Sequence, residues 1–239
     1  MKMNRTNCFA NFTREIGPTM MNYNKNESYI CYMPDLNKIY LFRMMHIDNM
    51  SHVLANGITH KTSALANPTF AAIGDTSIIS RRSSFTLPNG KKIGDYIPFY
   101  FWVRMPMLYV IQNGFSGVKS TKASDIVYCV TNVQEIIDHK LGFVFSDGHG
   151  IDSFTTFYAE KDIIEIDTLL DFTAIKCKYW NNEKDLDFKR KKEAEFLVEK
   201  DIPITAVKKY IVCNKKAKEK LLATGIKDEL IIINSDYYF

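Results

Sequence analysis

Short apolar and β-branched runs alternate with polar, turn-forming segments along most of the chain, and this pattern is typical of a mixed α+β domain. Two runs, residues 36–46 and 97–111, are dense in aromatic residues and predict buried strands, the second running into a short helical turn. Further short strands are predicted at 123–131, 142–148, 195–200, 206–214 and 229–234. Periodicity and capping residues predict helices between them at 49–57, 133–142, 167–172 and 215–225.

The first part of the chain lacks this regularity. Residues 1–36 show no sustained helical or strand period and contain the breakers Gly17, Pro18 and Pro34. We therefore predict an irregular N-terminal arm over 1–36 and one domain over 37–239. Within that domain the segment 58–96 is polar and loop-like, and a loop of that length is usually functional or mobile.

Composition and charge exclude several classes of protein. Hydrophobic residues make up 46% and charged residues 24%, which is ordinary for a globular chain and excludes disordered and fibrous proteins. The net charge of +4 is too small to indicate nucleic acid by itself, but residues 1–118 hold 12 basic and 6 acidic side chains, so the basic excess lies in the N-terminal half. The five cysteines are scattered without a Cys-x-x-Cys pair, which indicates reduced thiols and no zinc site.

Membrane and export signals are also missing from the pattern. The apolar run 97–111 is broken by Pro98, Arg104 and Pro106 and is shorter than the ~20 residues of a membrane span. The first residues have no apolar core of a signal peptide. We therefore expect a cytoplasmic protein without membrane contact.

Familiar catalytic motifs are absent from the sequence. It contains no Gly-x-Gly-x-x-Gly, Gly-x-x-x-x-Gly-Lys-Ser/Thr, Gly-x-Ser-x-Gly or His-Glu-x-x-His, so dehydrogenase, NTPase, α/β-hydrolase and zincin functions lose their support. His46, His52 and His60 fall on a predicted strand, helix and loop and do not share a face, so no metal site is expected.

Arg81 and Arg82 stand in the long polar segment that precedes the aromatic strand Phe99-Tyr100-Phe101. Arginines beside an aromatic-lined groove suit a pyrophosphate and a stacked ring, because guanidinium matches phosphate oxygens bidentately and π faces hold planar bases. Solvated loop charges beside a core strand would give the same spacing, so both interpretations stay open.

Glu195 opens a predicted strand directly after the four cations of residues 189–192. If the strand alternates, Glu195, Leu197 and Glu199 share a face, and a carboxylate beside cations stays ionised. An edge-strand glutamate that neutralises its neighbours is the alternative. A third feature, Asp147-Gly148-His149-Gly150, follows a predicted strand, where glycines either let the backbone approach a ligand or form a plain turn.

Five segments, taken together, resemble one family: LFRMMHIDNMSHVLANGI, IGDTSIISRR, IGDYIPFYFWVRMPMLYVI, FVFSDGHG and KRKKEAEFLV. They follow in the order and approximate spacing of the DarT-type DNA ADP-ribosyltransferase toxins, and the resemblance runs from about Leu36 to Pro203. Two segments depart from the family pattern. Residues 88–92 replace its usual Pro-Gly-Gly, and Arg104-Met105-Pro106-Met107 replaces its usual Arg-Ser-Pro-Met.

This resemblance implies an α+β ADP-ribosyltransferase fold, with two facing, mostly antiparallel sheets, a central NAD-binding split and short peripheral helices. One of two neighbouring arginines would hold the pyrophosphate, an aromatic residue would flank the nicotinamide, and a histidine would lie near the acceptor. The implied catalytic residues are Glu195, Arg81, Arg82 and His149; those for NAD are His46, Asp48, Asn49, Tyr100 and Phe101; those for DNA are Lys189, Arg190, Lys191, Lys192, Lys91 and Lys92.

The resemblance further implies NAD as substrate, no metal, and transfer of ADP-ribose to a base of single-stranded DNA, with thymine ahead of guanine. The partners it implies are NAD, single-stranded DNA and a macrodomain antitoxin of the DarG type, and the activity would be toxic through blocked replication. An ionised Glu195 would stabilise positive charge on the ribose and then accept the proton of the attacking nitrogen, whereas Glu193 and Glu199 should tolerate substitution.

Two other classes of function stay open at this point. The same cations and aromatic residues could form a non-catalytic module that binds single-stranded nucleic acid. Alternatively, the chain could be an ADP-ribosyltransferase whose acceptor is protein or RNA.

Overall fold

Eight strands of the described part of the chain, residues 33–239, form one hydrogen-bonded sheet in the computed structural model. Their spatial order is β5-β4-β6-β2-β1-β3-β7-β8, and β7 and β8 pair in parallel while the other neighbours are antiparallel. The strands are β1 (Tyr40–His46), β2 (Tyr96–Tyr100), β3 (Ile126–Asn132), β4 (Phe143–Ser146), β5 (Phe157–Ala159), β6 (Glu195–Glu199), β7 (Lys209–Val212) and β8 (Ile231–Ile233).

Short α-helices flank the sheet and connect its strands. They are α1 (Met50–Asn56), α2 (Thr76–Ser84), α3 (Pro106–Asn113), α4 (Val133–Asp138), α5 (Ile166–Leu169), α6 (Phe172–Lys176), α7 (Phe188–Lys192) and α8 (Lys215–Ala223). Over residues 33–239 no helix has the length and apolar character that crossing a bilayer requires. Most of the predicted arm, residues 1–32, lies outside the described residues, and Cys8 and Cys31 lie there too. The described cysteines Cys129, Cys177 and Cys213 are free thiols.

The predicted α+β class is confirmed, but the two facing sheets are one continuous sheet with a weak seam between β1 and β2. These strands pair at Phe42 and Tyr100 alone, while β1 pairs with β3 along its whole length. Pro98 has no N–H to extend the ladder, and its carbonyl accepts a hydrogen bond from Arg43 Nη1 at 2.9 Å. The sheet therefore opens at its centre without dividing.

Strand β6 shows how the sheet separates two apolar clusters. Phe196 and Val198 lie in the main core, whereas Leu197 points the opposite way into a smaller cluster with Ile93 and Tyr96. Because side chains of a strand alternate, Glu195 shares the face of Leu197, as the sequence predicts. The Glu195 side chain therefore points to the side of the sheet that residues of the 58–96 segment, such as Ile93, cover.

Candidate active site

Glu195 and Arg82 form a buried ion pair at the start of β6. Arg82 Nη1 donates to Glu195 Oε1 at 2.9 Å, and Nη2 lies 2.8 Å from Oε2. The Glu195 side chain is 0% exposed and that of Arg82 is 13% exposed. The pair therefore joins residues 113 positions apart in the sequence, in surroundings where a charge is stable only with a partner.

The pKa of each partner follows from this contact. Burial alone would raise the pKa of Glu195, but the Arg82 guanidinium outweighs burial and the pKa is lowered. Burial would likewise lower the pKa of Arg82, and the carboxylate reverses this and raises it. Glu195 is therefore ionised at neutral pH.

The turn after β4 completes the surroundings of Glu195. Gly150 N–H donates to Glu195 Oε1 at 3.0 Å. A Cβ on Gly150 would lie 2.5 Å from Ile93 Cδ1 and 3.1 Å from that same carboxylate oxygen, so a side chain at this position would have to displace one of them. The turn therefore brings the backbone close to the Glu195 carboxylate, and its predicted approach to a ligand stays a prediction.

Helix α2 carries Arg82 to the site. Asp75 caps the helix by accepting from Ser77 N at 2.8 Å, and Gly94 leaves room for it, since a Cβ there would lie 2.9 Å from Ser83 Cα. None of its residues is buried, and Arg81 is exposed on its outer side. The sequence predicts a loop here; the cap and the serine-rich helix were missed because apolar periodicity is weak.

The residues predicted for NAD divide into two groups. Tyr100 pairs with Glu195 across β2 and β6, is half-buried, and lies close enough to Arg82 and Glu195 to feel their charges. Phe101 lies in the core against the rings of Phe172 and Phe196. Of the two residues predicted to flank the nicotinamide, Tyr100 therefore lies next to the Arg82–Glu195 pair, whereas Phe101 does not.

The other residues predicted for NAD, His46, Asp48 and Asn49, lie at the end of β1 and in the turn that follows it. His46 Nδ1 accepts from Asp48 N at 3.2 Å, and both side chains reach solvent. Asn49 is buried, and its amide binds both the N–H and the carbonyl of Ala71 at 2.9 Å. Asn49 thus fastens the 58–96 segment to the end of β1.

Most of the residues predicted for DNA already have partners. Arg190 Nη1 lies 2.6 Å from Asp147 Oδ1, and Lys191 Nζ lies 2.9 Å from Asp185 Oδ2. Lys192 is 0% exposed and donates to the carbonyls of Ile175 and Cys177 at 3.1 and 2.6 Å. Burial lowers the pKa of Lys192 to about 8. The structure thus engages three of the four cations of the run with partners in the fold, buries Lys192 alone, and does not support Lys192 as a phosphate ligand.

Three predicted cations stay on the surface. Lys189 is exposed and lines a cleft beside the ion pair. Lys91 pairs with Glu199 at 2.5 Å, at the far end of β6, and Lys92 donates to Thr86 Oγ1 at 2.5 Å. Lys189 is the member of the predicted set that is both exposed and part of the wall of this cleft.

A cleft of about 880 Å³ lies near the ion pair, although Arg82 and Glu195 do not themselves line it. His149 and Glu193 lie in its wall, and burial lowers the pKa of His149. A second, aromatic cleft of about 700 Å³ adjoins it through Pro106, Val110 and Lys189. The aromatic side chains of that second cleft are Tyr109, Phe115, Tyr179, Trp180 and Phe239.

Sequence reasoning missed Arg43, which lies at the seam of the sheet. Its Nη1 binds Pro98, its buried Nε has no hydrogen-bond partner, and burial together with nearby Arg82 lowers its pKa to about 10. A charged residue in the middle of the apolar run 39–47 is the sequence signal that could have found it. Two guanidinium groups and one carboxylate leave this region with excess positive charge, which suits an anionic ligand.

Metal chemistry has no obvious site in the described region. No group of three or more histidine, cysteine, aspartate or glutamate side chains between residues 33 and 239 is arranged to hold a metal ion.

Comparison with known proteins places this geometry in a family. The family model described as "DarT: ssDNA thymidine ADP-ribosyltransferase, DarT" matches residues 42–239. The DNA ADP-ribosyl transferase of Thermus sp. (strain 2.9) is 32% identical over 208 residues, covering 83% of this chain and 95% of that protein. A fusion of a DNA ADP-ribosyl transferase with a DNA ADP-ribosyl glycohydrolase from Thermosipho africanus (strain H17ap60334) is 28% identical over 159 residues, covering 66% of this chain and 38% of the fusion.

Solved structures give the same result. The structure of Thermus sp. 2.9 DarT in complex with ADP-ribosylated single-stranded DNA matches with a TM-score of 0.74 and 28% identity, covering 87% of this chain and 98% of that one. The same protein in complex with NAD+ matches with a TM-score of 0.70 and 27% identity, covering 87% and 100%. These matches confirm the family that the sequence motifs indicate and the expectation of NAD as substrate. The chain belongs to the DarT family of NAD-dependent single-stranded DNA ADP-ribosyltransferases.

Proposed function

We propose that this protein transfers ADP-ribose from NAD to thymine in single-stranded DNA and that Glu195 is its catalytic carboxylate. The observation that carries the proposal is the Arg82–Glu195 pair, whose carboxylate is 0% exposed, near a cleft of about 880 Å³ that has His149 and Glu193 in its wall. The matched family's description supplies thymidine as the acceptor. The experiments below test this proposal against transfer to guanine, to RNA or to protein, and against nucleic-acid binding without turnover.

The proposed role of Glu195 is electrostatic. Cleaving the bond between ribose and nicotinamide builds positive charge on the ribose, and an ionised carboxylate stabilises that charge more in the transition state than in the ground state. Arg82 keeps Glu195 ionised despite its burial. Arg43 adds positive charge at the seam, which fits the pyrophosphate of NAD, and Tyr100 is proposed to flank the nicotinamide.

Access to Glu195 requires movement, because its side chain has no exposed surface. Helix α2 is the element we propose to move, since none of its residues is buried and its displacement breaks few apolar contacts. Withdrawal of α2 would take Arg82 off one side of the carboxylate and open it to the ribose.

The acceptor is proposed to be single-stranded because a paired thymine has its ring N–H in the base pair and its faces in the stack. The aromatic cleft next to the catalytic cleft suits this acceptor, since exposed rings such as those of Tyr109 and Tyr179 offer stacking faces for unpaired bases. A macrodomain antitoxin of the DarG type is the proposed partner, supported by the relative in which a transferase and a glycohydrolase are fused. A toxin that acts on replicating DNA would work in the cytoplasm, the proposed location.

A panel of oligonucleotides tests the acceptor. We expect incubation with NAD to add one ADP-ribosyl group to single strands that contain thymine. We expect no addition to the matched duplex or to strands in which every thymine is N3-methylated, because N3 carries the sole N–H of thymine in DNA. Intact-mass spectrometry measures the product. Addition to guanine-only strands, to RNA or to protein, with none on thymine strands, would contradict the proposal.

Lys189 is expected to contact the DNA backbone. Lys189→Gln should weaken binding equally for all sequences and reduce the log–log dependence of affinity on salt by about 0.7, the contribution of one phosphate contact on a single strand. Fluorescence anisotropy at several salt concentrations measures this slope. Lys215→Gln, on the exposed side of α8, is the matched control and should leave the slope unchanged. An unchanged slope in Lys189→Gln would place the DNA path elsewhere.

A further inference from the structure

Arg190, on α7, is implied for DNA by the family resemblance, but its guanidinium is engaged inside the protein. The side chain is 11% exposed, and Nη1 lies 2.6 Å from Asp147 Oδ1. Nε and Nη2 donate to the two carboxylate oxygens of Asp187 at 2.6 and 2.8 Å. Binding a phosphate would require breaking bidentate contacts that are largely shielded from solvent, which is costly. A role within the fold therefore fits Arg190 better than a contact with DNA.

Arg190 contacts three successive residues of the turn after β4, which we call the turn 147–150. Its guanidinium pairs with Asp147, and its carbonyl accepts from His149 N–H at 3.2 Å. Gly148, between them, leaves room for the arginine, since a Cβ there would lie 2.3 Å from Arg190 Nη1 and 2.7 Å from Arg190 Cγ. The Arg190 side chain therefore lies directly against the backbone of this turn.

The last residue of the turn reaches the catalytic carboxylate. Gly150 N–H donates to Glu195 Oε1 at 3.0 Å. Withdrawal of α2, as proposed above, would remove Arg82 and leave this donor in place, because Gly150 belongs to the turn and not to the helix. Ser146 joins the same turn to β6, since its Oγ accepts from Glu195 N at 3.2 Å and donates to the Gly148 carbonyl at 2.8 Å. The placement of the turn thus determines how the Glu195 carboxylate is held.

We propose, resting on the function proposed above, that Arg190 is a positioning residue for the transfer reaction and not a DNA ligand. It fixes the turn 147–150, and the turn orients the Glu195 carboxylate toward the ribose through Gly150 N–H. Stabilisation of a transition state depends steeply on placement, and a displacement of about 1 Å can cost roughly 100-fold in rate. Weakening the contacts of Arg190 should therefore slow turnover although no group that touches substrate is removed.

Arg190→Lys tests this assignment in the full-length protein. Lysine keeps the positive charge but cannot bind two carboxylates through a planar fork. We expect kcat for transfer to a thymine-containing single strand to fall about 10- to 100-fold, with the KM for NAD changed by less than about threefold. Rates are measured at saturating DNA and divided by the folded fraction, which circular dichroism gives for each variant.

The pH dependence of kcat separates positioning from a general loss of structure. Burial raises the pKa of Glu195, whereas Arg82, His149 and the Gly150 N–H lower it. A displaced Gly150 N–H lowers that pKa less, so the fall of kcat toward acid pH should begin at a higher pH in Arg190→Lys than in the wild type. A smaller folded fraction would instead scale the rate equally at every pH.

Gly148→Ala is a second variant that keeps every charge. Its Cβ would displace the Arg190 side chain from the turn, so kcat and the pH profile should change in the same direction as in Arg190→Lys. DNA affinity and its dependence on salt, measured by fluorescence anisotropy, should stay those of the wild type in both variants. Weaker DNA binding with an unchanged kcat at saturating DNA would assign Arg190 to the DNA backbone and overturn the proposal.

Lys191→Gln is the matched control, because Lys191 follows Arg190 on α7 but pairs with Asp185, away from the turn 147–150. It should keep the kcat and the pH profile of the wild type. A kcat within about threefold of wild type in both Arg190→Lys and Gly148→Ala would overturn the assignment, as would a lower kcat with an unchanged pH profile. If the wild type modifies no oligonucleotide, the proposed function fails; if the wild type transfers and both variants do so equally, this inference alone fails.

Discussion

Glu195→Gln is expected to lower the turnover of ADP-ribose transfer by about 100- to 1000-fold. Glutamine keeps the shape of the side chain and can still accept from Gly150 N–H, so the geometry around it is retained. What it loses is the negative charge that stabilises the ribose cation, and that stabilisation acts in the transition state. The loss should therefore appear in kcat, with the KM for NAD changed little. Quantifying free nicotinamide and modified oligonucleotide together measures both quantities.

The control for this variant is Glu199→Gln. Glu199 lies on the same face of β6 as Glu195, but it is partly exposed and pairs with Lys91 outside the catalytic cleft. It should retain full turnover. If Glu195→Gln kept more than about a tenth of wild-type turnover, the carboxylate that stabilises the ribose would have to be a different one.

Local patterns in the sequence were sufficient to predict most strands and the position of Glu195. The aromatic runs around Phe42 and Phe99 lie in central strands, and the alternation of residues 195–199 predicts which side chains share a face of β6. The position of a strand and the face on which each of its side chains lies depend on neighbouring residues in the sequence. Alternation of apolar and polar residues therefore identifies them. The predicted transition from a strand to a helical turn within 97–111 is likewise confirmed by β2 and α3.

Contacts between distant segments could not be predicted in the same way. Four successive cations at 189–192 indicate a solvated surface, yet Arg190 binds Asp147 and Lys192 binds the carbonyls at 175 and 177. Glu193, which the sequence analysis expects to tolerate substitution, is buried, and α7 meets the turn after β4 where His149 N–H donates to the Arg190 carbonyl. The partners come from other parts of the chain, and spacing within the run contains no information about them.

The sequence could not show which of Arg81 and Arg82 contacts Glu195, and the structure does. The two residues are adjacent and chemically identical, so no sequence pattern distinguishes them. In the helix they point in different directions, and Arg82 alone of the two reaches the buried carboxylate. Their substitution should therefore have unequal consequences.

Arg82→Ala is expected to destabilise the protein by roughly 3–5 kcal/mol near pH 8, because it leaves the buried charge of Glu195 without a partner. The effect should depend on pH. In the wild type the lowered pKa of Glu195 contributes stability above the ordinary carboxyl range, and this contribution is lost as pH falls through the lowered value. In the variant burial acts without Arg82 and raises the pKa of Glu195, so stability is lost as pH rises through that raised value.

The free energy of unfolding of the two proteins should therefore converge as pH falls below the raised pKa of Glu195 in the variant, where that carboxyl is neutral and costs little to bury. Denaturant unfolding at several pH values measures this convergence. Arg81→Ala, on the exposed side of α2, should change stability by less than about 0.5 kcal/mol at every pH. Adding Glu195→Gln to Arg82→Ala should recover most of the loss at pH 8, since it removes the unpaired charge. A difference between wild type and Arg82→Ala that stayed constant with pH would mean that the guanidinium stabilises the fold through packing and not through the charge of Glu195.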